Sequence, residues 1–162
     1  SILNNFLKKE FSNFSLGAGS VTDIETAKKI IQIGADFIIS PGFSEEINKL
    51  SIESKINYIP GCATVTEMIN AKSSGAKLIK IFPAVQLGGI DYLKSVKSAL
   101  PWLKAVPSGG ILSNAESIRH WLKSGAHAVT LGSDLFKKEL INNGNYDQIK
   151  NNLEHLLKEA QL

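Results

Sequence analysis

Cysteine and arginine are the scarcest chemically useful residues in this 162-residue chain, which has one of each. The single cysteine, Cys62, excludes an internal disulfide and fits a reducing compartment. The single arginine, Arg119, excludes a phosphate clamp built from several guanidinium groups. No signal peptide and no run of 18 apolar residues is present, so the sequence predicts a soluble, cytoplasmic protein that does not enter a membrane.

Strong net charge is absent as well. The formal net charge is +3, and the lysines are scattered over helix-like segments with acidic residues between them. A nucleic-acid surface needs clustered basic residues, so no nucleic-acid partner is predicted. His120, His127 and His155 lack the spacing of metal ligands, and we expect them to be structural. Hydrophobic content of 43% and charged content of 20% are typical of one globular domain, which we predict over 1–162.

Short apolar strands alternate with amphipathic helices along the chain. Three segments of S/T-x-x-E form, starting at Thr22, Thr64 and Ser113, predict capping boxes at helix starts. The predicted strands are 15–20, 35–40, 57–59, 76–84, 103–106 and 125–131. The predicted helices are 1–11, 22–33, 44–50, 64–74, 90–100, 113–123 and 146–160.

Strict β/α alternation predicts a parallel sheet with helical crossovers. Two architectures fit six strands: an open six-stranded sheet, or a β/α barrel that lacks its first two strands. The opening helix, which has no strand before it, favours the barrel.

The central predicted strand, 76–84, carries a lysine among apolar residues. Strand side chains alternate, so Leu78, Lys80 and Phe82 share one face while Ile79 and Ile81 take the other. A lysine amine in apolar surroundings loses its proton more easily and becomes a nucleophile for carbonyl groups. The structural alternative is a lysine whose stem packs against the strand while its ammonium group reaches solvent.

The carboxyl ends of the predicted strands carry small, turn-forming residues. In a β/α barrel these ends form one rim, where active sites lie. Ser108-Gly109-Gly110 and Gly132-Ser133 follow the last two strands, the usual phosphate site of such barrels. The alternative is that these turns contain Gly, Ser and Pro only because turns favour them. We prefer phosphate binding for the last two turns taken together.

Other chemically useful side chains are assigned structural roles. We expect Cys62 to be a small buried hydrophobe, Asp36 to lie at the start of its strand away from the rim, and Glu67 to belong to a capping box. Lysine chemistry needs a proton-transfer partner, and no carboxylate is predicted on the rim.

Six motifs in order and spacing resemble the 2-keto-3-deoxy-6-phosphogluconate (KDPG) and 4-hydroxy-2-oxoglutarate (KHG) aldolases. The motifs are Gly17-Ala18-Gly19-Ser20-Val21, Ile39-Ser40-Pro41-Gly42, Ile59-Pro60-Gly61, Lys80-Ile81-Phe82-Pro83-Ala84, Pro107-Ser108-Gly109-Gly110-Ile111 and Gly132-Ser133. These are class I aldolases, trimeric β/α barrels that cleave a phosphorylated keto acid to pyruvate and glyceraldehyde 3-phosphate. The resemblance extends over nearly the whole chain.

The resemblance implies a role for each matching residue. Lys80 corresponds to the Schiff-base lysine. Substrate-binding positions correspond to Ser20, Pro41, Phe82 and Ser108. Phosphate-binding positions correspond to Gly109, Gly110, Gly132 and Ser133. Ser20 and Ser108 stand where the family usually has threonine. The implied fold is an α/β, eight-stranded TIM barrel of which this chain supplies about six βα units. The implied protein is a cytoplasmic homotrimer of carbohydrate metabolism (the Entner-Doudoroff route), without metal or cofactor, acting on a keto-acid phosphate.

One departure from the family concerns the beginning of the chain. The family's general acid/base glutamate and carboxylate-binding arginine lie on and just after the second barrel strand, and this chain begins at the helix that follows. We therefore expect the first strand, first helix and second strand to be missing, and the activity of these 162 residues alone to be doubtful. Two alternatives are a truncated, inactive barrel that binds a sugar phosphate and a different phosphate-binding barrel enzyme without imine chemistry.

Overall fold

A computed structural model describes residues 15–132 and 135–161. The chain divides into two compact units, Ser1–Lys80 and Ile81–Leu162. The helix predicted over 1–11 lies outside the described residues.

The first unit contains a parallel sheet of three short strands in the order β1-β2-β3. The strands are β1 (Gly17–Ala18), β2 (Phe37–Ile39) and β3 (Asn57–Ile59), with Ala18 opposite Ile38 and Ile38 opposite Tyr58. Helices α1 (Ile24–Gln32), α2 (Glu45–Glu53) and α3 (Val65–Ser73) alternate with them. The core of this unit is built from the buried side chains of Val21, Ala27, Ile38, Ile47 and Tyr58. Parallel pairing between β/α repeats was predicted and is confirmed.

A second sheet has the order β4-β5-β6, with β4 (Gly61–Cys62), β5 (Ile79–Ile81) and β6 (Ala105–Pro107). The division between the two units falls within β5. The strand β4 was not predicted, because Pro60 and Gly61 indicate a turn that ends β3. The chain instead passes through Pro60, which has no N–H to donate, and continues as the first strand of the other sheet.

The second unit adds helices α4 (Gly89–Ala99), α5 (Ala115–Lys123), α6 (Lys138–Asn142) and α7 (Tyr146–Ala160). The bounds of α7 match the predicted helix, and α6 was not predicted. One apolar cluster joins α5 and α7 through Ala115, Ile118, Leu135, Leu156 and Ala160. Burial of this seam accounts for the strong amphipathic pattern of α7.

Two of the three predicted capping boxes are wrong by one residue. The N-caps of α1 and α5 are Asp23 and Asn114, not Thr22 and Ser113. Each cap side chain accepts a hydrogen bond of 2.8 Å from the backbone N–H three residues further on. Asp and Asn are among the strongest N-cap residues, so the Asx residue beside the hydroxyl residue takes the cap.

The strand predicted over 125–131 is not a strand in the structure. His127 N donates to Ala105 O at 2.8 Å, as in a parallel ladder alongside β6. The next ladder bond would need an N–H from residue 107, but Pro107 has none. The segment therefore follows β6 without forming a regular ladder, and its next backbone bond to β6 runs from Thr130 N to Pro107 O.

The described part of the chain contains no helix with the length and apolar content needed to cross a bilayer.

Candidate active site

Lys80 lies in β5 between two buried isoleucines. Ile79 and Ile81 are each 1% exposed, whereas Leu78, Lys80 and Phe82 are half-buried. The predicted alternation of the two faces is therefore confirmed. Burial disfavours the charged ammonium group and lowers the pKa of Lys80 below its ordinary value of 10.5. A larger fraction of this amine is neutral, and hence nucleophilic, than for a fully solvated lysine.

Backbone contacts in the first unit link Lys80 to the turns that follow β2 and β3. Lys80 N donates to Pro60 O at 2.8 Å, and Gly61 N donates to Gly42 O at 3.3 Å. A Cβ placed on Gly61 would lie 2.0 Å from Pro41 O, so only glycine allows the Pro41 carbonyl to approach this closely. The carboxyl ends of these strands therefore lie side by side within the unit.

A buried serine joins the ends of β1 and β2. Ser40 is 2% exposed, and its hydroxyl donates to Val21 O at 2.6 Å. Val21 N donates in turn to Ile39 O. Ser20, the preceding residue, has a left-handed backbone with φ of 60°, which is uncommon for a residue other than glycine. The two bonds at Val21 hold the exposed Ser20 at the end of β1, where its hydroxyl is accessible.

Tyr58 anchors the turn that contains Pro41. Its phenol donates to Gly42 O at 3.2 Å and accepts a hydrogen bond from Ser44 N at 3.1 Å. Burial raises the pKa of Tyr58, so the phenol stays protonated and retains both bonds. The Pro41-Gly42 turn is thus fixed from the sheet beneath it.

The second unit contains a cleft of about 500 Å³ at the ends of β5 and β6. Five of the predicted site residues line it: Phe82, Ser108, Gly109, Gly110 and Gly132. The sixth predicted site residue of this unit, Ser133, lies outside the described residues. The cleft brings the two predicted glycine turns together.

The turn after β6 has its carbonyl groups engaged and its glycine N–H groups available. Ala84 N donates to Ser108 O at 2.7 Å, and Val85 N donates to Gly109 O at 3.2 Å. No residue in 15–132 or 135–161 accepts a hydrogen bond from Gly109 N or Gly110 N. Successive backbone N–H groups of this kind form a concave site for anions.

Both glycines of this turn have left-handed backbones, with φ of 94° at Gly109 and 79° at Gly110. A Cβ placed on Gly110 would lie 2.9 Å from Val85 Cβ, and one on Gly109 would lie 3.3 Å from the Phe82 ring. The turn therefore needs glycine for its conformation and for its close packing under the cleft.

Three other titratable side chains, Cys62, Glu67 and Asp36, lie in surroundings that give them structural roles. Cys62 is 2% exposed, and burial raises the pKa of its thiol to about 12, so it stays protonated. The Glu67 carboxylate accepts hydrogen bonds from Ala63 N and Thr64 N, each at 2.8 Å, which lowers its pKa and completes the predicted capping box. Asp36 accepts a hydrogen bond of 2.9 Å from Leu16 N. The predicted structural roles of Cys62 and Glu67 are confirmed.

Within the described residues, no three His, Cys, Asp or Glu side chains come close enough together to hold a metal ion.

Four cleft residues were not predicted: Ile111, Leu112, Thr130 and Leu131. Thr130 and Leu131 lie in the segment that was expected to be a regular strand. Only their position near the end of that segment indicated that they could lie at the rim. Ile111 and Leu112 directly follow the glycine turn and have no chemical group that would have marked them.

The parallel β/α repeats define an α/β protein, with a half-buried lysine of lowered pKa in the first unit and a glycine-lined cleft in the second. The family model for KDPG and KHG aldolases matches residues 3–152. The chain therefore belongs to the KDPG and KHG aldolase family, a family of lyases.

Individual proteins similar to this chain are aldolases of the same family. The KHG/KDPG aldolase of Escherichia coli strain K12 is 30% identical over 156 residues, which cover 96% of this chain and 72% of that protein. The 2-dehydro-3-deoxy-phosphogluconate aldolase of Dickeya dadantii is 31% identical over 143 residues, covering 88% of this chain and 66% of that one. A crystal structure of KDPG aldolase from Legionella pneumophila, with pyruvate captured at low pH as a covalent carbinolamine intermediate, has a TM-score of 0.82 and 32% identity over 93% of this chain and 72% of that one.

Proposed function

We propose that this protein is a class I aldolase in which Lys80 forms an imine with a 2-keto acid. The observation that carries the proposal is a half-buried amine of lowered pKa in β5, in a chain of the KDPG and KHG aldolase family. The covalent carbinolamine of pyruvate in the Legionella pneumophila relative supports the same chemistry here, because a carbinolamine is the adduct that an amine forms with a ketone.

The Lys80 nitrogen attacks the C2 ketone carbon of the substrate, and the resulting carbinolamine loses water to give a protonated imine. This imine draws the electron pair of the C3–C4 bond as that bond breaks. The C4 hydroxyl loses its proton and becomes the carbonyl of the released aldehyde. The enamine left on Lys80 takes a proton at C3, and water then releases pyruvate and regenerates the amine.

The substrate phosphate binds at Gly109 and Gly110, together with Gly132 and Ser133, and Ser108 contacts the substrate beside them. The N–H groups of the two glycines, which have no acceptor among the described residues, support this role, since they are donors placed in a cleft. A phosphate held away from the reacting carbon positions the ketone at the amine through remote binding energy.

The substrates that we propose are 2-keto-3-deoxy-6-phosphogluconate, cleaved to pyruvate and glyceraldehyde 3-phosphate, and 4-hydroxy-2-oxoglutarate, cleaved to pyruvate and glyoxylate. Ser20, Pro41 and Phe82 contact the pyruvyl part of the substrate. Proton transfer at the C4 hydroxyl needs a general base. We assign that base to none of Asp36, Cys62 or Glu67, since each has the structural surroundings described above.

The wider setting proposed for the protein follows its family. The β/α repeats form a barrel to which this chain contributes about six βα units, and the protein is a cytoplasmic homotrimer of carbohydrate metabolism. Sedimentation equilibrium of the purified protein tests the trimer: a mass of three chains supports it, and a monomer at micromolar concentration rejects it.

Pyruvate release from each substrate tests the proposed function. We expect the unmodified protein and Lys77→Met, which removes an exposed lysine three residues earlier, to release pyruvate at similar rates. Lys80→Met should release none. Binding of inorganic phosphate without release of pyruvate from either substrate would instead favour a phosphate-binding barrel without imine chemistry.

A further inference from the structure

The peptide group that enters the glycine turn is held from both sides. Its carbonyl oxygen, Pro107 O, accepts two hydrogen bonds from Thr130, one from the backbone N–H and one from Oγ1, both of 3.1 Å. Its N–H, on Ser108, donates to Ile81 O at 3.0 Å. A carbonyl oxygen has two lone pairs, so Thr130 alone fills the acceptor capacity of Pro107.

Thr130 has this position because Pro107 interrupts the ladder of β6. After the bond from His127 to Ala105, a regular ladder would continue through an N–H of residue 107, which proline lacks. Among the described residues, the bonds of Thr130 are the last that join the 125–131 segment to β6. The second bond, from the hydroxyl, adds a constraint that a backbone ladder alone would not supply.

This first peptide group directly precedes the two that carry the glycine N–H groups. The next two carbonyls, of Ser108 and Gly109, accept from Ala84 N and Val85 N. In a trans peptide the N–H points opposite to the C=O. The bonds to the Ser108 and Gly109 carbonyls therefore turn the N–H groups of Gly109 and Gly110 away from Ala84 and Val85. The bonds to the Pro107 carbonyl anchor the peptide group that comes just before them.

We propose that Thr130 is a positioning residue for the phosphate subsite: its hydroxyl fixes the Pro107 carbonyl and so anchors the start of the turn whose Gly109 and Gly110 N–H groups bind the anion. Thr130 acts through the backbone and does not itself react. This role deepens the proposed function, because it specifies which residue tunes the affinity for a phosphorylated substrate.

Thr130→Val removes the hydroxyl bond and keeps the shape of the side chain, whereas Thr130→Ser keeps the hydroxyl. Losing one hydrogen bond is expected to weaken binding of inorganic phosphate to the whole protein by about five- to tenfold, with Thr130→Ser within about twofold of the unmodified protein. Thr66→Val, an identical change at an exposed position in α3, serves as the matched control. Isothermal titration calorimetry with inorganic phosphate measures the phosphate affinity of all four proteins.

The kinetic test separates positioning from general damage. In Thr130→Val we expect KM to rise for the phosphorylated substrate and to stay unchanged for 4-hydroxy-2-oxoglutarate, which has no phosphate, with kcat similar for both. Equal losses on the two substrates, or phosphate affinity unchanged in Thr130→Val, would overturn the role. Absence of phosphate binding by the unmodified protein would overturn it too.

The calorimetric result is independent of the aldolase proposal. Phosphate affinity that falls in Thr130→Val and is restored in Thr130→Ser supports the positioning role even if neither substrate is cleaved. The opposite result is also informative. If pyruvate release requires Lys80 but phosphate affinity is the same in the Thr130 variants and the unmodified protein, the aldolase proposal is upheld and the positioning role is rejected.

Discussion

Lys80 shows how neighbouring residues in a strand can change the pKa of one side chain. Ile79 and Ile81 are buried on one face of β5, and the opposite face, which carries Lys80, is itself half-buried. Water is therefore partly excluded from the amine, and its charged form loses part of the hydration that stabilises it. The same burial that makes the amine reactive carries a cost in stability at neutral pH, where an ordinary lysine is charged.

The pH dependence of the reaction of Lys80 follows from the sign of this shift. The folded-state pKa lies below the unfolded value of 10.5, so the neutral amine is reached at lower pH in the folded protein. We expect the rate of imine formation with pyruvate to rise with pH and to reach half its maximum below pH 10.5. Between the two pKa values the unfolded chain binds more protons, and the free energy of unfolding therefore increases with pH across that window.

Trapping of the imine at a series of pH values measures the rate, and the Lys77→Met protein controls for reaction at exposed lysines. A rate that reached half its maximum only at the pKa of a fully solvated lysine would contradict the proposed activation by burial.

Gly110 is the residue at which the turn is most sensitive to a side chain. An alanine there would have a left-handed backbone, at a cost of about 1 to 2 kcal/mol, and its Cβ would also press on Val85 at 2.9 Å. We expect Gly110→Ala to lower the free energy of unfolding by more than this backbone cost alone and to weaken phosphate binding at least about tenfold, since the turn must shift. Urea unfolding and phosphate titration measure the two effects.

Gly144→Ala is the matched control for Gly110→Ala. Gly144 has a left-handed backbone with φ of 66°, but a Cβ placed there meets nothing within 4 Å. It should therefore show the backbone cost without the loss of phosphate affinity. Equal phosphate affinity in both variants would argue against the glycine turn as the anion site.

At the scale of the elements, the helix starts show what a sequence pattern can and cannot decide. The S/T-x-x-E pattern occurs three times and forms a capping box only at Thr64. In the other two segments Asp23 or Asn114 directly follows the hydroxyl residue and competes with it for the cap. The pattern therefore correctly predicted that a helix begins in each segment. The N-cap position was set by the neighbouring Asp or Asn, which was also visible in the sequence.

The Thr64 capping box should contribute measurably to the stability of α3. Thr64→Ala is expected to lower the free energy of unfolding by about 0.5 to 2 kcal/mol, with Thr66→Ala, an exposed position in the first turn of the same helix, as the control. The pKa of Glu67 is lowered from 4.5 by its bonds to backbone N–H groups. Because the unfolded chain then takes up the proton first, this contribution is present above about pH 4.5 and is lost as pH falls through the folded-state pKa.

Glu67→Gln removes this titration, so its urea unfolding curve should lose less stability than the unmodified protein between neutral and acid pH. An identical pH profile for the two proteins would contradict the role of the carboxylate in the cap.

The strands could be located from the sequence but not bounded. Apolar runs and turn residues predicted five of them, yet several have only two or three residues in regular pairing. The sixth predicted strand, 125–131, has the composition of a strand but does not form a regular ladder with β6. The reason is that Pro107, which lies opposite it in β6, has no amide hydrogen to donate. Whether a ladder hydrogen bond is lost depends on which residues of the two strands lie opposite each other. The sequence pattern of a single segment does not reveal this register.

At the scale of the whole molecule, the order of the rim motifs carried more information than any one of them. Each turn has a structural explanation alone, but their succession along the chain indicated the KDPG and KHG aldolase family, which the family match over 3–152 confirms. The residues that line the cleft without reactive groups, Leu112 and Leu131 among them, could not be predicted, because their selection depends on the path of the backbone after each strand.

Ligand binding should stabilise the protein as a whole. If inorganic phosphate binds the folded turn and not the unfolded chain, the melting temperature must rise with phosphate concentration, by an amount set by the ratio of concentration to dissociation constant. We expect this rise in the unmodified protein and a smaller one in Gly110→Ala, with chloride at matched ionic strength as the control. A rise equal to that produced by chloride would exclude specific binding.

The central claim, that the Lys80 amine is the nucleophile, is tested most directly by borohydride reduction in the presence of pyruvate, followed by mass spectrometry of the peptides. We predict one reduced pyruvyl adduct, located on Lys80 in the unmodified protein and in Lys77→Met, and absent from Lys80→Met. An adduct spread over exposed lysines, or no adduct in folded protein, would show that Lys80 is not the nucleophile.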